Sequence, residues 1–140
     1  FNKLNTNAES CTTHFIQRAG IEAIGGDDSG PRAILETLRT RRDVCVEALN
    51  AIDGIQIQAP DSTFYLYPNV SKIVERLGLS DANALMDKAL REANVSFCTR
   101  LHFGRPAPEE REHYIRFAYS GIGTEEIKEG LARLKLCFET

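Results

Sequence analysis

Apolar positions recur at helical spacing in the first third of the chain, alternate in the middle, and return to helical spacing at the end. Phe15, Ile16, Ala19, Ala23 and Ile24 predict a helix over about 9–24. The cluster Gly25-Gly26-Asp27-Asp28-Ser29-Gly30 breaks it. Pro31 then suits a first helical turn, where its missing N–H costs nothing. Ile34, Leu38, Cys45, Leu49 and Ile52 follow at steps of three, four and seven, which predicts one buried stripe on a helix over about 31–52. Gly54 ends it. The period then drops to two. Ile55 and Ile57 alternate with Gln56 and Gln58, Pro60-Asp61-Ser62 turns the chain, and Thr63 to Tyr67 alternates again. This pair predicts an antiparallel hairpin that Pro68 terminates.

A helix or loop around 71–77 comes next. Ser80 is placed to cap a helix over about 81–93, carrying Leu85, Met86, Ala89, Leu90 and Ala93. Val95 to Cys98 predicts a short strand, and Thr99 to His113, with two prolines, an irregular segment. Tyr114 to Ser120 predicts a last strand. Gly121 and Gly123 break it, and Thr124 is placed to cap a final helix with Glu125 and Glu126 at its positive end. Ile127, Leu131, Leu134 and Phe138 form that helix's stripe. The expected order is α-α-β-β-α-β-β-α. It implies an α+β fold with a small mixed or antiparallel sheet of about four strands covered by helices.

The length of 140 residues suits one domain with a moderate core. A net charge of −3 with no basic block argues against nucleic acid as a partner. The run Arg39-Thr40-Arg41-Arg42 is followed by Asp43 and Glu47, so it reads as a solvated helix face. No apolar run reaches the roughly 20 residues that span a bilayer, and no signal peptide is visible, which together point to a cytoplasmic protein without a membrane partner. Cys11, Cys45, Cys98 and Cys137 lie far apart in predicted helices or strands and read as reduced and mostly buried. His14, His102 and His113 show no ligand spacing with them, so no metal site is expected. The opening Phe1-Asn2-Lys3-Leu4 reads as the end of an element begun upstream, as in a piece of something longer.

One charge sits where a charge is expensive. In Tyr114-Ile115-Arg116-Phe117-Ala118-Tyr119-Ser120, alternation puts Ile115, Phe117 and Tyr119 on a core-facing side and Arg116 on the other. A guanidinium is a flat, two-pronged donor that matches a carboxylate. Arg116 therefore either holds an anion such as a substrate carboxylate, or pairs with an Asp or Glu of the same chain, the commoner use of such an arginine. No phosphate-cradling glycine loop or nucleophile elbow is present. Cys98 and His102 are spaced across a strand end and are not expected to meet as a nucleophile and base.

The stretches Thr63-Phe64-Tyr65-Leu66-Tyr67-Pro68-Asn69-Val70, Phe103-Gly104 and Tyr114-Ile115-Arg116-Phe117-Ala118-Tyr119-Ser120 occur in this order before a closing amphipathic helix. This resembles the C-terminal small domain of class I/II aminotransferases, the pyridoxal-phosphate enzymes of fold type I similar to aspartate aminotransferase. Glu9 to Ile24, with Gln17, is similar to the family's segment before its long interdomain helix. The resemblance implies that residues 1–30 are an N-terminal helix and linker meeting a missing N-terminal large domain, and that 31–140 are the small domain. It implies that Arg116 binds the substrate α-carboxylate and that Phe103 lines the substrate side. His102, where many members have a small residue, and Arg100, where many have part of a Pro-Gly pair, then tune specificity or are surface changes. Tyr65 and the loop from Asn5 to Thr12 approach the site or the subunit interface.

The family's Schiff-base lysine motif is not matched, since Lys3, Lys72, Lys88, Lys128 and Lys135 all lie in other contexts. The resemblance thus implies a parent that moves an amino group between an amino acid and a 2-oxo acid as a homodimer. Pyridoxal 5'-phosphate would be bound by that parent and not by this chain, which would hold no catalytic or cofactor residue and be inactive alone. The alternative from another class is a free-standing, non-catalytic α+β module that binds a small carboxylate or regulates. A purely structural interaction domain, with Arg116 paired internally, is the third reading.

Overall fold

The computed structural model describes residues 1–8, 11–105 and 107–140. They divide into two compact units, Phe1–Leu35 and Glu36–Thr140. The first holds α1 (Asn2–Ala8), which the apolar pattern did not predict, and α2 (His14–Gly25). The expected start of α2 falls on Glu9 and Ser10, outside the described residues. Neither helix buries a residue. Cys11 is exposed outside any helix, which corrects the expectation that it lies buried in a helix or strand.

Helix α3 runs Ser29–Asn50, and from Glu36 onward it belongs to the second unit. Its stripe is buried only in that part: Cys45, Leu49 and the following Ile52 are buried, whereas Ile34 is exposed. The basic run is not a bare solvated face. Arg39 pairs with Glu36, but Arg41 donates to the Ser120 carbonyl, and Arg42 bonds both Asp43 and the Pro60 carbonyl.

Among the described residues the sheet has three antiparallel strands rather than about four, in the order β1 (Tyr65–Leu66), β3 (Ile115–Ala118), β2 (Cys98–Thr99). The predicted hairpin does not form. The Asn50 side chain takes both backbone groups of Ile57, accepting from its N–H and donating to its C=O at 2.9 Å each. Thr63, at φ 69°, bends the chain just before β1. Residues 55–58 are therefore a loop held by α3, with the alternation expressed only as a buried Ile55 and a half-buried Ile57. β1 instead pairs with β3, Tyr65 facing Ala118 and Leu66 facing Phe117. Pro68 does not end the pairing: its carbonyl accepts from Ile115 N–H, and Val70 N–H donates to the His113 carbonyl at 2.7 Å. On the other side Cys98 faces Arg116 and Thr99 faces Ile115.

The remaining helices close the core. α4 spans Ser71–Arg76, α5 spans Ala82–Lys88 and runs into a π-turn at Ala89–Ala93, and α6 spans Thr124–Glu139. Asn94, at φ 55°, ends the π-turn in the left-handed conformation that asparagine tolerates. Both predicted caps shift by one residue. Gly123 precedes α6, and Thr124 is its first helical residue. Asp81 rather than Ser80 caps α5, because its carboxylate reaches the N–H groups of Asn83 and Ala84 at 2.8 and 2.9 Å. The core joins Leu49 and Ile52 to Leu66, Val70, Ile73, Leu85, Ile115, Leu134 and Phe138.

The Asp81 cap carries a pH dependence. The N–H of Ala84 above all, with those of Asn83, holds the Asp81 carboxyl below the usual aspartate range. A depressed folded-state pKa means that the contribution is complete above the unfolded value of about 3.9 and is lost as pH falls through the lower, folded value. Asp81→Ala is expected to cost about 1 kcal/mol at neutral pH, read as a lower denaturation midpoint. The gap between variant and wild type should close in strong acid.

Candidate functional site

Alternation along the sheet separates two faces. Leu66, Thr99 and Ile115 point into the core and are buried. Tyr65, Cys98 and Arg116 belong to the opposite set, with Cys98 directly across the ladder from Arg116. The 3₁₀ turn Arg100–Phe103 follows β2 immediately and brings Phe103 to the same arginine. Three segments distant in sequence thus converge on one half-buried guanidinium.

Its surroundings are aromatic rather than acidic. The Arg116 guanidinium carbon lies 4.2 Å from the Tyr65 ring centroid and 4.6 Å from that of Phe103. Ring quadrupoles at these distances attract the cation but do not replace the hydrogen-bond acceptors a carboxylate would supply. Nη2 reaches the Cys98 sulfur at 3.7 Å, a weak acceptor, and Nε is buried with no hydrogen-bond partner among the described residues. No ion pair among the described residues uses Arg116. The internal carboxylate partner open at the sequence level is not found there. A guanidinium has five donors, and this one keeps nearly all of them unspent beside buried surface. Its planar fork of donors has the shape that matches a carboxylate.

The neighbouring basic residues are committed elsewhere. Arg100 Nε donates to Glu110 at 2.9 Å, and its Nη atoms reach the Gly104 and Arg105 carbonyls, so this guanidinium ties the irregular segment to itself. Pro106 of that segment lies outside the described residues. His102 Nδ1 accepts from the Thr99 backbone N–H at 3.1 Å, which leaves the proton of the neutral ring on Nε2. The imidazole closes a reciprocal cap with Thr99, whose hydroxyl also bonds Asn83 at 2.6 Å. Cys98 and His102 therefore address different partners and form no nucleophile–base pair. Tyr119 donates to the Thr63 carbonyl at 2.9 Å, anchoring the end of β3 to the turn before β1.

Arg116 does not line either of the two cavities found beside the sheet. A groove of about 400 Å³ is lined by Cys45, Leu49, Phe117, Ile127 and Leu131. Burial pushes the Cys45 thiol up to about 11, so it stays protonated and unreactive at neutral pH. Burial raises Cys137 as well. Among the described residues no cluster of His, Cys, Asp and Glu could hold a metal, and no helix is long and apolar enough to cross a membrane. The role of Cys98 as a neighbour of Arg116 was not anticipated. Strand alternation groups the two only once the register of β2 against β3 is known.

No family model matches the chain. A probable aspartate/prephenate aminotransferase from Aquifex aeolicus is 30% identical over 138 residues, covering 97% of this chain and 33% of the relative. Among solved structures, an aspartate aminotransferase from Rhizobium meliloti superposes with a TM-score of 0.76 at 23% identity, over 98% of this chain and 34% of that one. A PLP-bound putative aminotransferase from Clostridium difficile gives 0.71 at 19% identity, over 98% and 33%. The two structures speak to the fold. The chain spans about a third of the length of the curated relatives it matches. In sequence and in fold it corresponds to the C-terminal part of the fold type I aminotransferases, the family of the aspartate aminotransferases.

Proposed function

We propose that this chain is the C-terminal part of a pyridoxal-phosphate-dependent aminotransferase, in which Arg116 binds the α-carboxylate of the amino acid and of the 2-oxo acid. Residues 31–140 are the small domain, and 1–30 are the helix and linker that meet a large N-terminal domain. The observation that carries the reading is the arginine itself: half-buried, in cation–ring contact with Tyr65 and Phe103, and without a carboxylate partner among the described residues. Holding the substrate at its carboxylate orients the adjacent Cα–H for proton removal, an advantage of position rather than of chemistry. Phe103 lines the substrate side of the guanidinium. His102 serves first as a cap, so any part it has in specificity runs through the exposed edge of its ring. The parent is proposed to be a cytoplasmic homodimer of amino acid metabolism.

The described residues do not fit the cofactor. Lys88, Lys128 and Lys135 face Glu92, Glu125 and Glu139 of their own helical segments, and Lys3 and Lys72 are exposed. The Glu92 and Glu125 carboxylates hold the Lys88 and Lys128 amines above the usual lysine range, the opposite of what imine formation at neutral pH requires. The cofactor chemistry is therefore assigned to the large domain. The relatives are transaminases of which this chain spans about a third, which lends the free-standing carboxylate-binding module no support.

The test is an assay of amino transfer with pyridoxal phosphate supplied, across a panel of amino donors that includes aspartate and several 2-oxo acids. The full-length protein is expected to turn over, and the 140-residue chain alone is expected not to. A full-length protein inert with every donor contradicts the aminotransferase reading. Turnover by the isolated chain contradicts the assignment of cofactor chemistry to the large domain.

A further inference from the structure

Two aromatic rings meet Arg116 from segments on opposite sides of its strand. Tyr65 comes from β1, an edge strand, and Phe103 from the 3₁₀ turn after β2. Phe103 is 44% exposed, so the hydrophobic core does not account for its position. Among the described residues the Tyr65 hydroxyl has no hydrogen-bond partner, which leaves the ring as its working part. An arginine side chain has several free torsions and loses that freedom when it must present one edge to a ligand. Two rings held 4.2 and 4.6 Å from the guanidinium carbon remove part of that freedom beforehand.

We infer that Tyr65 and Phe103 are positioning residues that set the plane of the Arg116 guanidinium and so present its fork to a substrate carboxylate. This deepens the proposed role of Arg116 and rests on it. The rings touch the arginine and act through it. Their contribution is to the affinity of the anchored ligand more than to the chemical step. The ring quadrupole does the holding, so an aliphatic side chain of similar bulk does not replace it.

The experiment is steady-state kinetics of the full-length enzyme with Tyr65→Leu, Phe103→Leu, Tyr65→Phe and Arg116→Ala. The two leucine variants are expected to raise KM for the amino acid about 5- to 30-fold, the equivalent of one partly desolvated cation–ring contact, with a smaller change in kcat. Tyr65→Phe, which keeps the ring, is expected to bring KM back toward the wild-type value. Phe103 sits on an exposed turn, so its variant reads the effect even where the β1 variant folds poorly. If Arg116→Ala raises KM and both leucine variants leave it unchanged, the inference about the rings is overturned and the carboxylate reading stands. If Arg116→Ala also leaves KM unchanged, the carboxylate reading itself fails.

Discussion

Arg116→Ala in the full-length enzyme is expected to lower kcat/KM for the amino donor by about 2–5 kcal/mol, or about 30- to 5,000-fold. The size follows from where the charge sits. Cation and carboxylate meet beside buried surface, where truncating one partner strands the other without water to replace it. Arg100 is spent on Glu110 and two carbonyls, and Arg41 on the Ser120 carbonyl. The same substitution should be mild for stability, because Arg116 makes no ion pair among the described residues, and its contacts are a weak one to Cys98 and two cation–ring contacts at a half-buried position. A large loss of activity with a nearly unchanged denaturation midpoint is the signature of a binding residue. A large loss of both would mark a structural one.

The second large effect is structural. Phe138→Ala should destabilise the second unit by about 3–5 kcal/mol, the usual cost of truncating a buried phenylalanine. Phe138 is fully buried in the last turns of α6, in the same cluster as Leu49, Ile73 and Leu134. The chain's end is held from outside as well, since Arg76 donates to the Phe138 carbonyl at 2.9 Å and pairs with Asp53. Removing the ring leaves that backbone tie in place, so a cavity opens that the helix cannot collapse to fill. Denaturant unfolding should show a lower midpoint, and amide exchange should rise along α6 and β3. A midpoint within about 1 kcal/mol of wild type would mean that the core is not organised around this ring.

The helices were readable because their signals are long. α6 repeats its apolar stripe over four turns, and Ile127, Leu131, Leu134 and Phe138 are all buried. In α3 the same logic named Cys45, Leu49 and Ile52 correctly and overreached at Ile34, since periodicity shows a stripe but not how far along it a partner extends. The strands were less readable. Four alternating residues at 55–58 look like a strand, yet a single side chain, Asn50, satisfies Ile57 instead of a neighbouring strand. No local signal announces such a competitor. The α5 cap moved by one residue because Ser80 and Asp81 are both good capping types, and only geometry selects the carboxylate.

The candidate site divides in the same way. That Arg116 is unusual follows from strand alternation alone. That it stacks on Tyr65 and Phe103 depends on the register of β1 and β2 against β3 and on a 3₁₀ turn inside a segment read as irregular. Those are long-range facts, and short-range patterns do not encode them. The resemblance to aminotransferases supplied the expected role of Arg116 because it compared whole segments in order, which carries the register implicitly.

The most direct test of the account compares an amino acid with its α-carboxamide as substrates of the full-length enzyme and of Arg116→Ala. Wild type should favour the free acid in kcat/KM by the same order as the loss expected for the arginine variant. Arg116→Ala should lose most of that preference, so that the two changes are strongly non-additive. An equal preference for the acid in both proteins would contradict the account, because the carboxylate would then be recognised somewhere other than Arg116.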